Sequence, residues 1–204
     1  GVGPLTIDPD KQNSGVGRSL MQAVVDHALE QNFQGIRLIA ATFHNRAFGL
    51  YTKLGFDVRE QLAVLHGSPI AEEIPECHVR QAAVSDLEEC NKLCFRIHGF
   101  DRGGELNDSI NRGKAVVVGR EGRISGYSTG VTFIGHSIAE TNQDLKALIG
   151  AAPSLSTGFL IPVSNSEVLR WCLDKGLQIS RPMTLMSLGT YNEPTGPFLP
   201  SLLY

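Results

Sequence analysis

Apolar and polar positions follow two rhythms along this chain, and the switches between them mark its elements. The apolar run from Val2 to Ile7 predicts a strand. From Val16 to Gln31 the residues Leu20, Val24, Val25, Ala28 and Leu29 recur at helical spacing, with Gln22, Asp26 and Glu30 on the other face. That spacing predicts a helix over 16–31, followed by a strand over 36–43, a helix over 46–53 and a strand over 56–65. Gly35 and Gly55 stand where a helix stops on a left-handed residue. Strands alternating with helices imply an α/β fold, here with a mixed sheet.

Residues 67–75 hold prolines, a glycine and acidic residues without a period, and read as a linker between a first unit at 1–66 and a second at 76–190. The second unit opens with a strand over 78–81. Ser85 or Asp86 then caps a helix to Ile97, with Glu88 and Glu89 in its first turn. A hairpin over 115–118 and 124–129 turns through Gly119 to Gly122. Further elements are a strand over 131–138, a helix over 142–149, a strand over 158–163, a helix over 166–175 and a strand over 177–188. Residues 191–204 carry Pro194, Pro197 and Pro200, which exclude a helix and predict an extended tail against one domain.

A repeat underlies this layout. The segment from His44 to Phe56 lies over the segment from Asn165 to Leu177 without a gap, at a constant offset of 121 residues. In both copies a polar residue opens a helix, and a glycine with an apolar neighbour starts the next strand.

At 204 residues, 42% hydrophobic and 19% charged, the chain has the composition of a soluble globular protein able to bury a sizeable core. Its net charge of −3 supplies no field to attract nucleic acid or an anionic membrane, so any anionic ligand must be held by local geometry. Cys77, Cys90, Cys94 and Cys172 form no CxxC pair and no dense framework, which fits reduced thiols in a cytoplasm. No apolar run reaches the ~18 residues that span a bilayer, and no charged-then-apolar leader opens the chain. Because Gly1 stands first and a strand follows almost at once, the natural N-terminus is expected upstream.

The stretch Gln12-Asn13-Ser14-Gly15-Val16-Gly17 sits between the first strand and the first helix. A helix N-terminus carries amides without helical partners and about half a positive charge, and so suits a diphosphate. Glycines there permit positive φ and close approach of a ligand, although a tight turn alone would use them too.

This loop, followed about thirty residues later by the His44 to Phe56 block with its Ala47, Leu50-Tyr51 and Gly55-Phe56, resembles the GNAT superfamily of N-acetyltransferases. The likeness is close over residues 3–65 and only in outline over 76–190. It implies a GNAT-like acyl-CoA N-acyltransferase fold in two tandem units, the first lacking its opening strands and the second degenerate. It further implies direct transfer of an acetyl group from acetyl-CoA to a primary amine, the acceptor being a small molecule or peptide, without metal. By resemblance, the amides of Gln12, Asn13, Ser14, Gly15, Val16 and Gly17 hold the diphosphate, with Arg18 adding charge. Leu5, Thr6 and Ile7 pair with the pantetheine arm. Tyr51 protonates or hydrogen-bonds the departing thiolate, though it also fits as a core aromatic beside Phe48 or Phe56.

The chain departs from the family where an asparagine is usual three residues before the motif alanine: His44 stands there, with Asn45 next. Either can contact the cofactor, and His44 also suits a helix cap or a base. Asp8 is a further base candidate by proximity, against a plain turn role before Pro9. In the second unit, Gly135 to Thr141 lacks paired glycines, Glu140 would repel phosphate, and Cys172 replaces the tyrosine. Cys94, His98 and His136 show no metal-ligand spacing and read as scattered. A non-catalytic remnant that binds acyl-CoA or a protein is the other reading, and an open strand edge fits a homodimer. A nucleotide-binding fold fares worse, since no Lys-Ser/Thr follows the glycines and no acid stands at ribose spacing.

Overall fold

The computed structural model describes residues 5–12, 14–120 and 122–203. Along the chain run α1 (Val16–Glu30), β1 (Gly35–Ala41), α2 (Asn45–Lys53), β2 (Asp57–Gly67), β3 (His78–Gln81), α3 (Leu87–His98), α4 (Gly103–Asn111) and β4 (Val116–Arg120). They continue with β5 (Arg123–Ser128), β6 (Ser137–Ala139), α5 (Asn142–Gly150), β7 (Leu155–Pro162), α6 (Ser166–Asp174), β8 (Gln178–Gly189) and β9 (Phe198–Leu199). Among the described residues, one unit holds those up to Gln61 together with Met183–Tyr191 and Leu203, and the other holds Leu62–Pro182 with Asn192–Leu202. The division falls inside β2 and inside β8. The stretch 67–75 lies in the second unit, where Ile70 and Ile74 pack against core clusters.

In the first unit, β1 pairs antiparallel with β8 from Gly35↔Gly189 to Ala41↔Met183. Alternation puts Ile36 and Leu38 of β1 on one face with Met186 and Leu188 of β8. Against that face α1 and α2 lay Met21, Val25, Phe48, Leu50 and Tyr51. The buried stripe of α1 is Met21, Val25 and Ala28, while Leu20 and Leu29 are 43% and 64% exposed. Spacing alone did not separate these stripes, because Leu20 and Met21 begin equally good apolar rows. The left-handed residue closing α1 is Asn32 (φ 57) and not Gly35, with the Phe33 amide donating to Ala28 O and the Asn32 amide to Leu29 O.

The expected opening strand is not formed over its described part. Leu5, Thr6 and Ile7 have no regular structure, and residues 1–4 lie outside those described. A strand exists only by pairing, and among the described residues the recorded partner of β1 is β8. Ile7 instead lays its side chain against Gly17.

In the second unit, β3, β4, β5, β6 and β9 form one sheet in that order. α3 and α4 pack Leu93, Cys94, Leu106 and Ile110 over Val117, Tyr127 and Ile138. α4 went unread in the sequence because its first two residues are glycines, which disfavour helix; its hold is the burial of Leu106 and Ile110. The strand expected over 131–138 shrinks to Ser137–Ala139. Residues 130–135 turn instead, the Gly135 amide donating to Thr132 O. The tail is extended, as its prolines require, and Phe198 and Leu199 pair with Ile138 and Ser137.

The repeat holds residue by residue. Ala41↔Met183 and Leu38↔Met186 in the first unit become Pro162↔Leu62 and Phe159↔Leu65 in the second, each partner displaced by the same 121 positions. Gly55 and Gly176 have φ of 91° and 90°. Behind them the amides of Phe56 and Leu177 close on Tyr51 O and Cys172 O. Each copy's last strand therefore lies beside the preceding strand of the other copy: β8 beside β1, and β2 beside β7.

Candidate active site

The approach to α1 is built by short-range bonds. Asp8 accepts the Asp10 amide at 2.9 Å and opens a 3-10 turn over Pro9–Lys11, so its carboxylate is engaged as a turn cap. Ser14 donates its hydroxyl to Lys11 O. Gly15, the N-cap of α1, has φ 87°, and a Cβ placed there would meet nothing within 4 Å. Backbone strain therefore explains glycine at 15, and among the described residues nothing fills the space a Cβ there would take. Gly17 serves another end: it lies inside the helix, and a Cβ would stand 2.7 Å from Cδ1 of Ile7.

Among the described residues, no side chain caps α1, its first turn holds no acid, and no acceptor is recorded for the amides of Val16, Gly17 and Arg18. These amides and the exposed Arg18 make the helix end electropositive. Arg46, which the sequence reading passed over, donates from NH1 to Oε1 of Gln12 at 3.3 Å and ties the first turn of α2 to this loop. That turn too lacks acid. Gln12, Ser14, Gly15, Val16, Gly17 and Arg18 are thus brought together, whereas Asn13 lies outside the described residues. Thr6 is exposed, and Leu5 packs with the core of the first unit.

His44 caps α2, its Nδ1 accepting the Ala47 amide at 3.2 Å. An accepting Nδ1 leaves the proton on Nε2, so the capping ring has no spare lone pair for a base. Asn45 is exposed on the first turn. Tyr51, one turn further, is half-buried and meets Phe56 edge-on with centroids 6.2 Å apart. Burial pushes its phenol above the usual value, so it stays protonated.

A polar chain ends the apolar sheet face. Thr184 Oγ1 donates to Oε1 of Gln61 at 3.2 Å and lies 2.8 Å from Oγ1 of Thr42. A hydroxyl has one proton, so Thr42 is the donor to Thr184 and keeps its lone pairs for an incoming N–H. Thr184 is fully buried and shares its face with Met186. Thr184 belongs to the far end of the sequence, and no local pattern pointed to it.

The matching helix of the second unit is closed by its own side chains. Thr141 caps α5 by accepting the Asp144 amide. The buried Asp144 carboxylate takes the hydroxyls of Thr141 (2.5 Å) and Ser125 (2.8 Å). Glu140 is not a bare negative charge, since Arg96 and Arg123 hold it at 2.7 and 2.5 Å. Cys172, in the place of Tyr51, is fully buried, and burial pushes its thiol up to about 12. His98 and His136 are not scattered, for their Nε2 atoms lie 3.1 Å apart. Among the described residues no group of three or more His, Cys, Asp or Glu is placed to hold a metal, and no helix is long and apolar enough to cross a membrane.

Residues 2–58 match the family model described as acetyltransferase (GNAT) domain. A structure from Pyrococcus horikoshii, titled as an acetyltransferase, superposes with a TM-score of 0.71 at 18% identity, over 93% of this chain and 65% of that one. A GCN5-related N-acetyltransferase from Sphaerobacter thermophilus gives a TM-score of 0.56 at 11% identity, over 92% of this chain and 72% of that one. A tandem GNAT protein from the clavulanic acid biosynthesis pathway gives 0.50 at 10% identity, over 91% and 73%. These likenesses show the fold, an α/β mixed-sheet architecture shared with GNAT acetyltransferases. The chain spans just under two thirds of the length of the Pyrococcus protein. No curated protein matches it in sequence.

Proposed function

We propose that this chain is an N-acetyltransferase of tandem GNAT type that moves an acetyl group from acetyl-CoA to a primary amine by direct attack. The observation that carries this reading is the contrast between two helix ends. α1 leaves its first-turn amides and a glycine-lined opening for an anion, while α5 fills the same positions with Thr141 and Asp144. The GNAT match over residues 2–58 supports acyl transfer from an acyl-CoA.

The fit of the cofactor rests on the amides of Val16, Gly17 and Arg18, for which no described residue supplies a cap, and on the φ of Gly15. In this reading Gln12 to Gly17 bind the diphosphate, Arg18 and Arg46 add charge, and Leu5 to Ile7 border the pantetheine arm. Bound acetyl-CoA supplies an activated thioester. Tyr51, kept as a neutral phenol by burial, holds a proton for the sulfur as it leaves. Asn45 lies at the start of α2 beside the capping His44 and is the remaining cofactor contact of this set. Thr42, at the head of the chain through Thr184 and Gln61, orients an N–H by accepting from it.

The second copy is degenerate in this reading, with no open helix end and no phenol at Cys172. Its fitness to pair with the first is supported by the shared register at an offset of 121. Calorimetric titration with acetyl-CoA, followed by CoA release against a panel of small-molecule and peptide amines, tests the proposal. Binding with turnover is expected. Absence of binding would overturn it, and binding without turnover on any amine would favour the remnant reading.

A further inference from the structure

His98 ends α3 and His136 stands just before β6, and both side chains are fully buried within the second unit. With the Nε2 atoms 3.1 Å apart, one ring must donate and the other accept. Phe100 stacks on His98 with centroids 5.5 Å apart, and Phe198 meets the same ring edge-on at 5.2 Å. Phe198 is half of β9, a two-residue strand held to β6 through Ile138 and Ser137. We propose that the imidazole pair is a pH-sensitive latch, which keeps β9 on β6 near neutral pH and lets it go on acidification.

The physical ground is proton counting. One added proton can be shared as an imidazolium donating to a neutral ring. A second would set two Nε2–H donors against each other at 3.1 Å, with like charges in a buried site. Charged and titratable groups stand on the elements around the pair. From α4, Glu105 is already ion-paired with Arg102, which lies with Asp101 in the preceding connection, and accepts the Thr129 hydroxyl at 2.8 Å. That same Thr129 Oγ1 accepts the His136 amide at 2.9 Å. Cys94, one turn back on α3, and Tyr127 of β5, 6.1 Å from His136, are both held neutral by burial. β6 and β9 bring Ser137, Ile138, Phe198 and Leu199, none of them charged.

When β9 lifts, Phe198 leaves the His98 ring and water reaches the pair. Both rings then take protons at the ordinary imidazole value near 6.5. The open form binds at least one proton more than the closed form, so closure is at full strength above that value and weakens as pH falls below it. One withheld proton makes opening about 25-fold more favourable at pH 5 than at pH 7.

The test is hydrogen exchange at the β6 and β9 amides of the full chain, corrected for intrinsic rates, together with side-chain nitrogen shifts of the histidines. Protection should fall about 25-fold from pH 7 to pH 5 in the natural chain. It should fall less than about 3-fold in His136→Gln, where the amide carbonyl accepts from a charged His98 and no proton is withheld. The nitrogen shifts should report no more than one added proton per pair while β9 is protected, and this holds as a test if the variant does not fold. Constant protection in the natural chain, or two imidazolium signals with Phe198 still protected, would overturn the latch.

Discussion

Replacing Arg18 by Asp would convert the end of α1 into a likeness of α5. Arg18 and Asp144 hold the same position, the third residue of each helix, and Asp144 is part of what closes its own helix end. A carboxylate in the first turn favours the helix by about 0.3–1 kcal/mol, so the first unit should melt no lower than in the natural chain. Ligand binding should move the other way. A charge-assisted bond from Arg18 to a diphosphate is worth about 1.5–3 kcal/mol when shielded, and about 0.5–1 at this exposed position. Repulsion from the new carboxylate adds about 0.5–1 kcal/mol after screening. The total, about 1–2 kcal/mol, corresponds to roughly 5- to 30-fold weaker binding of acetyl-CoA. Calorimetry and thermal melting on the two proteins read both quantities. Affinity within about 3-fold of the natural chain would refute the placement of the anion at this helix end, and a large drop in melting temperature would make any loss of binding uninformative about charge.

Tyr51→Phe should lower CoA release by about 10² to 10⁴-fold at saturating acetyl-CoA. Stability should stay within about 1 kcal/mol because the ring contact with Phe56 is kept. Since burial raises the Tyr51 phenol above its usual value, it stays a proton donor through neutral and mildly alkaline pH, and any acetyl transfer by the natural chain should show no alkaline loss of rate there from this residue. Gly55→Ala and Gly176→Ala should each cost about 1–2 kcal/mol in urea unfolding for their left-handed φ. Gly55→Ala should be the worse, because Cδ1 of Leu188 stands 3.2 Å from its added Cβ while nothing stands near Gly176. Asp86→Ala should cost the second unit about 1.5–3 kcal/mol by removing the Arg80 bonds at 2.6 and 2.8 Å and the Ala83 amide bond. Arg80 holds the Asp86 carboxyl below the usual range, so this contribution is present above about pH 4 and fades as pH falls through the lowered value; the variant should lack that acid-side loss.

What the sequence disclosed was local, and what it hid was long-range. The turns at Gly55 and Gly176 and the caps at His44 and Asn165 are decided by a few neighbouring residues, and each stands where the pattern put it. The buried face of α1 depends on which stripe the sheet meets, so Leu20 was taken for Met21. The strand expected before Pro9 needs a neighbour that apolar composition cannot supply. Within the candidate site the glycine loop was legible, but its two glycines proved to do different work. The hydroxyl chain at Thr184 depends on a contact between residues 142 positions apart, which no spacing rule reaches.

The fate of the second copy follows from the same geometry. In the proposed reading it lacks what an anionic ligand would need: α5 spends its first turn on Thr141 and Asp144, and a buried thiol stands where Tyr51 would. It has kept what a sheet needs. Met183–Gly189 gives β1 its recorded strand partner, and Met186 is fully buried against Met21, Val25 and Phe56. Losing such a side chain costs about 2–5 kcal/mol, a large share of the stability of a unit this small. The other end of β8 works within the second unit, where Ser180 donates to Val64 O beside the β2–β7 ladder. A segment held in the sheet by pairing can lose its chemistry without losing its place, because substitutions at Cys172 or Thr141 leave the ladder intact while a break in β8 would take the recorded strand partner from β1. The first copy's candidate site is then a site made from both ends of the chain, with Thr42 and Gln61 from one copy and Thr184 from the other.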